Sequence, residues 1–450
     1  MRKRFFQAAF FITLLFIYGY CKNSGSVIDE DELFNDTSTV VNTSEIVNTA
    51  SMKEENNSKA SYFNGVMNSA FFGNVNRKWL DVPDSNNVKL SNYIVGNLML
   101  DVRLPNGGKA FFNLEMPYLP TYSSIVLLLR ELFIDGNIAK KVYLRIGKQV
   151  LQWGRCRLWN PTDLINVEKK LFIPKIGYRE GAYGLKMHIP FGTDYNLYGF
   201  LDTKSLSSVD SLAAAGKFEF LMGGTEMAFC LWAKNYYHSV FGYDVSTRIG
   251  GLDVVGELSL SKAANTYSIV QVIDTLKREK SDGLQTKACI DVGKKFNLFN
   301  FSRNLSVTLS FYFNSVGYDE NMFLDTLQYN SDPPYIVQAI TGFQPQIEKE
   351  TKKDFLIRNN FYEQHSYSKY YGALFTQIDR FFLSGLATTF NIVYNLQQAS
   401  MIASAGISYT SLNEFFTGIL VSAYVGGDNT EYTFQNQALA VQINLGMSFY

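Results

Sequence analysis

The sequence predicts an all-β protein: a transmembrane antiparallel β-barrel of about 18 strands, with 16 as the alternative count, short periplasmic turns and long extracellular loops. Three observations carry that reading. The 450 residues include 28 Tyr and 36 Phe but only 10 Pro and 3 His, an aromatic load hard to house in a soluble core but natural in the interfacial girdles of a barrel. From residue 62 onward no segment approaches the roughly 18 apolar residues of a spanning helix, and the most apolar run, SSIVLLL, stops at Arg130-Glu131. Instead, stretches of about ten residues alternate apolar and polar positions, as strands do when one face meets lipid and the other water.

The amino terminus, MRKRFFQAAFFITLLFIYGYC, places Arg2, Lys3 and Arg4 ahead of an apolar run from Phe5 to Tyr18, with Gly19 and Cys21 as small residues before a cleavage point. That is the layout of an export signal over residues 1–21, too short for a spanning helix. The alternatives are a retained anchor and lipidation at Cys21, the latter opposed by the bulk of Tyr20. Residues 22–60 hold eight acidic residues against three lysines and few large apolar ones, which predicts a disordered acidic periplasmic linker. Segment 61–450, the expected barrel, then keeps 35 basic against 33 acidic residues. A body so near neutrality offers no surface for nucleic acid.

Alternation is clearest in the last stretch, where Leu439, Val441, Ile443, Leu445, Met447 and Phe449 share one face and Ala438, Ala440, Gln442, Asn444, Gly446 and Ser448 the other. It recurs at 305–314, where Leu305, Val307, Leu309, Phe311 and Phe313 alternate with polar partners, and at 252–260, where Asp253, Val255, Glu257 and Ser259 oppose Leu252, Val254, Leu258 and Leu260. Strands are expected near 62–73, 91–103, 109–118, 128–135, 142–152, 181–190, 195–203, 216–222, 225–236, 240–248, 252–261, 284–297, 305–316, 368–380, 384–397, 400–411, 415–426 and 437–450. Joints after even-numbered strands are short, such as PNGG and FGTD, whereas the long ones at 74–90, 153–180, 262–283 and 317–367 all follow odd-numbered strands. Short turns on one side and long loops on the other is the asymmetry of an outer-membrane barrel, with both termini periplasmic. Lipid cannot satisfy free backbone groups, so such a sheet must close. A soluble sandwich also alternates, but the strand lengths and the aromatic pair Phe449-Tyr450 weigh against it.

Residues 143–165, YLRIGKQVLQWGRCRLWNPTDLI, weld a strand to an aromatic, arginine-rich segment. On the fifth strand Leu144 and Ile146 share one face, and Arg145, Gly147 and Gln149 the other. The charged face should turn inward, because arginine at mid-bilayer costs about 2–4 kcal/mol. Lys148 falls on the apolar face, which calls either for a bulge at Gly147 or for a rim position from which it snorkels. Glu131, Phe133 and Asp135 share a face of the fourth strand, so Glu131 or Asp135 can pair with Arg145, as a register-fixing ion pair or as pore lining. Asn160-Pro161 favours a turn, and Asp163 can cap a short helix after it. Trp153 and Trp159 would expose much apolar surface on a loop waving in water. Loop 153–178 is therefore expected to fold into the barrel mouth and narrow it, with Arg145, Arg155 and Arg157 as a positive patch and Glu131 and Asp163 opposite. The candidate pore-lining set is Glu131, Arg145, Gln149, Trp153, Arg155, Arg157, Trp159 and Asp163. In the rival arrangement that loop only braces the wall, while 317–367, with SDPPYIV and the charged EKETKKD, sets the gate.

The combination LRELFID, YLRIGKQVLQWG and WNPTDLIN resembles a family of bacterial outer-membrane porin-like barrels with uncharacterised members, related to alginate-export-type channels. Arg130, Glu131, Arg145, Gly147, Lys148, Gln149, Trp153, Gly154, Asn160, Pro161 and Asp163 match its R-x-G-[KR]-Q, WG and NP-x-D pattern one by one. The resemblance implies a barrel in the outer-membrane lipid of a diderm (Gram-negative-type) bacterium, assembled by the barrel-assembly machinery through its C-terminal strand. Phe449, not Tyr450, holds the apolar register in that strand, a departure from the usual terminal aromatic. The family's cargo varies, so the resemblance names no solute.

Catalytic signals do not accompany this pattern. His188, His238 and His365 stand apart, and Cys156, Cys230 and Cys289 are widely spaced, so they read as inert small residues rather than a disulfide framework or a zinc site. NGGK at 106–109 lacks the spacing and the following helix of a phosphate loop. Neither cofactor nor enzyme activity is expected. The expected function is passive diffusion of small hydrophilic solutes across the outer membrane. A reading of another class is a surface adhesin or host-contact barrel with a plugged lumen, binding through loop 317–367. A channel for hydrophobic compounds is opposed by the Asn, Gln, Lys, Glu and Arg of the inward faces. A homo-oligomer is compatible, though no segment marks an interface.

Overall fold

The computed structural model describes residues 60–81, 84–104, 107–119, 124–165, 181–204, 212–298, 301–331, 348–411 and 414–449. The leader expected at 1–21, and the acidic linker save Ala60, lie outside them.

The described chain is built around β1 (Ala60–Asn76), β2 (Val88–Arg103), β3 (Lys109–Leu119), β4 (Leu128–Ile138), β5 (Val142–Gln149), β6 (Ala182–Phe191), β7 (Tyr195–Asp202), β8 (Ala213–Met222), β9 (Thr225–Lys234), β10 (Val240–Ile249), β11 (Leu252–Ser261), β12 (Gln285–Leu298), β13 (Phe301–Asn314), β14 (Tyr370–Ile378), β15 (Leu386–Asn395), β16 (Ser400–Thr410), β17 (Phe415–Val425) and β18 (Gln437–Phe449). They form a single antiparallel sheet whose nineteenth member is the two-residue strand Ser124–Ile125, an extension beside β3. Each long strand pairs with its sequence neighbours. β1 also pairs with β18, from Gly65 opposite Phe449 to Val75 opposite Leu439, which closes the barrel. Each of the predicted strands forms, and the count is eighteen rather than sixteen.

Pairing carries the two faces round the ring. Asp244 stands opposite Glu257, Glu257 opposite Cys289, and Asp291 opposite Ser310, all on the inward face. Ile290, Leu309, Phe311, Ile443, Leu445 and Met447 are exposed on the outward face. At the closing seam the Phe449 ring lies over Gly65, where an added Cβ would come within 2.0 Å of a ring carbon. A side chain on Gly65 would displace the ring that covers the seam.

A bulge and a glycine of positive φ shape this part of the wall, and the second bears on the placement of Lys148. Between β3 and β4 the register slips, Asn113 facing Glu131 but Leu114 facing Leu129. The extra residue, Arg130, turns inward at this bulge and grips Glu115 through two hydrogen bonds of 2.8 and 2.7 Å. At the β4–β5 hairpin, Gly147 adopts φ +131°, a conformation closed to residues with a Cβ, and that Cβ would meet the Leu132 carbonyl oxygen at 2.1 Å. Lys148 keeps the outward register opposite Leu132, yet it is buried. Its ammonium donates to the Leu129 carbonyl at the outer end of β4, at 2.6 Å, and lies over the Tyr183 ring. The lysine thus snorkels along the wall to the rim.

The long joints on one side of the barrel build a cap. Strands Ser268–Val272, Thr275–Glu279, Tyr329–Ser331 and Glu348–Glu350 form a second, four-stranded sheet beside the helix Lys352–Arg358. Ile269, Leu276, Phe323, Phe355, Leu356, Tyr367 and Phe434 make its core. In the sequence these segments look like plain loops, since strands of three to five residues are too short to show a period. Gly147→Ala should disrupt the β4–β5 pairing at a cost of about 1–3 kcal/mol, seen as a lower temperature for loss of the folded band on a semi-native gel. An unchanged temperature would mean the backbone there is not so constrained.

Candidate functional site

The chain leaves the wall after β5 and enters the barrel. Leu151, Trp153, Cys156, Leu158, Trp159 and Ile165 are all buried. Glu131 receives the strand as it departs, accepting the Val150 N–H at 3.0 Å. Gln149 is fully buried, its amide donating to the Gly184 carbonyl at 3.3 Å. Arg145 pairs with Asp135 across the hairpin at 2.6 and 2.8 Å and stacks on Phe133, so of the two acids weighed for it, Asp135 is the partner.

Segment 150–165 then meets inward side chains of one strand after another. Trp153 sits among Phe200, Ala215 and Cys230, on β7, β8 and β9, and its carbonyl accepts from Lys217 at 3.0 Å. The Arg155 guanidinium is ringed by Glu219, Glu226 and Asp244, at 2.7 Å from each of the two glutamates and in direct contact with the aspartate. Lys217 joins the same cluster, 3.0 Å from Glu219 and 3.2 Å from Asp244. Glu257 on β11 organises the turn: one oxygen accepts the N–H groups of Arg155 and Cys156, both at 2.6 Å, and the other takes the Thr162 N–H and hydroxyl at 3.1 and 2.7 Å. Asn160 also donates to Glu257, at 3.0 Å. The turn predicted at Asn160-Pro161 forms, with the Asp163 N–H on the Asn160 carbonyl at 3.0 Å. Asp163 is buried, and the helix expected after it falls outside the described residues.

Further across, the Arg157 N–H donates to Asp291 on β12 at 2.6 Å, and its guanidinium lies over Phe375 on β14. Trp159 stacks flat on Tyr312 of β13, centroids 5.2 Å apart, and donates its indole N–H to the His365 carbonyl at 2.7 Å. β14 stands half-way round the ring from β5, so the segment reaches the opposite wall. Arg145, Arg155 and Arg157 do not make the positive patch expected of them. Arg155 is absorbed by three carboxylates, Arg157 is spread over a ring, and Arg145 is held by Asp135. The acids responsible lie on strands β4 and β8–β10, out of reach of any reading of the loop alone. A signal was present in inward-facing carboxylates on neighbouring strands, which call for a cation.

A second network joins the loop to the cap. Glu431, buried between β17 and β18, accepts from Tyr371 at 2.8 Å, Asn395 at 2.7 Å and the His365 N–H at 2.9 Å. His365 shares a 2.8 Å hydrogen bond with the Tyr432 hydroxyl. Burial pushes the Glu431 carboxyl up to about 7, although its three donors pull it down, and burial depresses His365 to about 3.

Among solved structures the chain is similar to three proteins of Pseudomonas aeruginosa. OpdL is 9% identical with a TM-score of 0.52, over 86% of this chain and 98% of that one. OprD is 8% identical with a TM-score of 0.51, over 86% and 95%. OccK8 (OprE) is 9% identical with a TM-score of 0.50, over 86% and 98%. At such identities the likeness is one of fold. No protein-family model matches the chain, and no curated protein does.

Arg155→Ala should leave Glu219, Glu226 and Asp244 short of a counter-charge and cost about 3–5 kcal/mol, read by urea unfolding. Adding Glu219→Gln and Asp244→Asn should recover part of the loss, and no recovery would mean the charges are not coupled. Glu431 gives a pH test. A carboxyl raised from 4.5 to about 7 favours the folded state fully below pH 4.5, and that contribution is lost as pH rises to about 7. His365, lowered from 6.5 to about 3, contributes above pH 6.5 and loses that contribution as pH falls toward 3. The two slopes oppose each other between pH 4.5 and 6.5. Glu431→Gln removes only the first, so relative to the parent the variant should gain thermal stability between about pH 5 and about pH 7. A constant difference would rule out titration of Glu431 in that window.

Proposed function

We propose that the protein is an outer-membrane channel for passive diffusion of small hydrophilic solutes, with loop 153–178 as its constriction. The observation that carries this is the path of segment 150–165 from β5 to side chains of β8–β14, through the lumen of a closed barrel. Hydrogen bonds to Glu257 and Asp291 and the stacking on Tyr312 hold it there as a fixed obstruction. The apolar outward face suits lipid, and closure satisfies the backbone groups that lipid would leave bare. The fold likeness to OprD, OpdL and OccK8 supports the same reading.

On the inward face, β2–β5 keep partly accessible charges. Asp101 pairs with Arg103 and Lys109 at 3.1 and 3.0 Å, and Arg145 with Asp135 at 2.6 Å. A path between this wall and the loop would be polar, which favours hydrated solutes. In this reading Glu131, Gln149, Trp153, Arg155, Arg157, Trp159 and Asp163 shape the obstruction, and Arg145 lines the free passage. The motif around Arg130–Asp163 and its kinship with alginate-export-type channels belong to the same reading, as do assembly through β18 and an outer-membrane location. The packed cap formed by residues of the joints 262–284, 315–331, 348–369 and 426–436 favours a second reading, a surface-binding barrel with a closed lumen.

Planar-bilayer recording separates the two. The folded protein should give discrete conductance steps, and removal of 153–178 should raise the step several-fold. Arg145→Ala, which frees Asp135, should move the reversal potential toward cation preference. A barrel shown to be folded by circular dichroism but silent in the bilayer would sink the channel reading and favour the surface-binding one.

A further inference from the structure

The lumen loop and the wall bring together three side chains that the sequence keeps far apart. Cys156 lies in the loop, and Cys289 and Asp291 occupy successive inward positions of β12. All three are buried, and their Sγ, Sγ and carboxylate oxygen atoms lie within 4.8 Å of one another. We propose that Cys156, Cys289 and Asp291 bind a thiophilic d10 divalent cation, zinc in the first place, which clamps the lumen loop to β12.

The spacing of the three donors fits a metal site. Zinc–sulfur and zinc–oxygen bonds of about 2.3 and 2.1 Å at a tetrahedral angle hold sulfur and oxygen about 3.6 Å apart. Cys289 Sγ, which donates a hydrogen bond to Asp291 Oδ1, lies 3.6 Å from it, so an ion can replace the thiol proton without moving either ligand. The other oxygen of Asp291 is occupied by the Arg157 N–H at 2.6 Å, which leaves Oδ1 directed at the thiols. Cys156 is held in place by its own N–H on Glu257 at 2.6 Å, so both the loop donor and its wall counterparts are fixed before any ion arrives. Two sulfurs and one carboxylate select zinc over the hard cations magnesium and calcium, which prefer oxygen alone. Three protein donors also leave a fourth position for a small ligand.

A cation held by two thiolates displaces two thiol protons as it binds, so its affinity rises with pH. The clamp is independent of conduction: the site would bind its ion whether or not the barrel passes solutes.

The test uses the full-length folded protein, extracted from membranes without chelator or refolded with zinc sulfate, with the folded band on a semi-native gel confirming the barrel. Elemental analysis should find one zinc per chain, and replacement by Co2+ should give thiolate-to-cobalt charge-transfer absorption. Cys156→Ser, Cys289→Ser and Asp291→Asn should each lower affinity at least tenfold, while Cys230→Ser keeps the full equivalent. Should a serine variant fail to fold, Asp291→Asn carries the comparison. Folded protein with both thiols reduced and no zinc above background would overturn the proposal. So would a Cys156–Cys289 disulfide, seen as a mass about 2 Da lower and loss of both thiols, or zinc retained when both cysteines are replaced.

Discussion

Closure of the sheet is the constraint on which everything else rests. An open antiparallel sheet of this size would leave two rows of unpaired backbone donors and acceptors, a liability in water and prohibitive in lipid. Pairing β1 with β18 removes both rows at once. It also divides the chain into an outward set of apolar side chains and an inward set of polar ones, because each strand inherits the parity of its neighbour round the whole ring. At one end of the seam a phenylalanine ring, Phe449, lies over Gly65.

Once the ring is closed, its interior is a space that side chains alone do not fill. The protein occupies it with its own loop, and the chemistry of that loop follows from the wall. Inward carboxylates on β8–β12 would be costly to bury unpaired. Arg155, Lys217 and a run of backbone N–H groups from Arg155 to Thr162 satisfy them. The tryptophans meet apolar and aromatic inward residues at either end of the crossing. Charge and apolar surface are thus matched position by position, which makes the loop part of the core rather than a mobile insert. Through His365 and Glu431 the same packing continues into the outer cap.

Much of this architecture is legible in the order of residues. Period-two alternation locates every strand of the ring, because a side chain's face depends only on its parity along the strand. It places Arg145 and Gln149 inward and Leu144 and Ile146 outward. It cannot anticipate residues whose position depends on a local break in that parity. Arg130 turns inward at a bulge, and Lys148, still in its outward register, is sheltered by reaching the rim carbonyl of Leu129. Asp135 rather than Glu131 holds Arg145, a choice made by register: Asp135 stands directly opposite, while Glu131 is taken by Val150.

The sequence by itself determined the barrel, a count of about eighteen strands with sixteen still open, the side on which long loops gather, and the fact that the tryptophans of 153–159 need shelter. These are properties of local pattern, and local pattern lies in consecutive residues. Only the tertiary structure decided what the arginines do and which thiols meet. Arg155 reads as a free cation until Glu219, Glu226 and Asp244 surround it, and Cys156 reads as inert until Cys289 and Asp291 stand beside it. Those partners sit on strands far along the chain, and electrostatics and coordination act through distance in space. No pattern in the linear sequence encodes that distance until the sheet has closed.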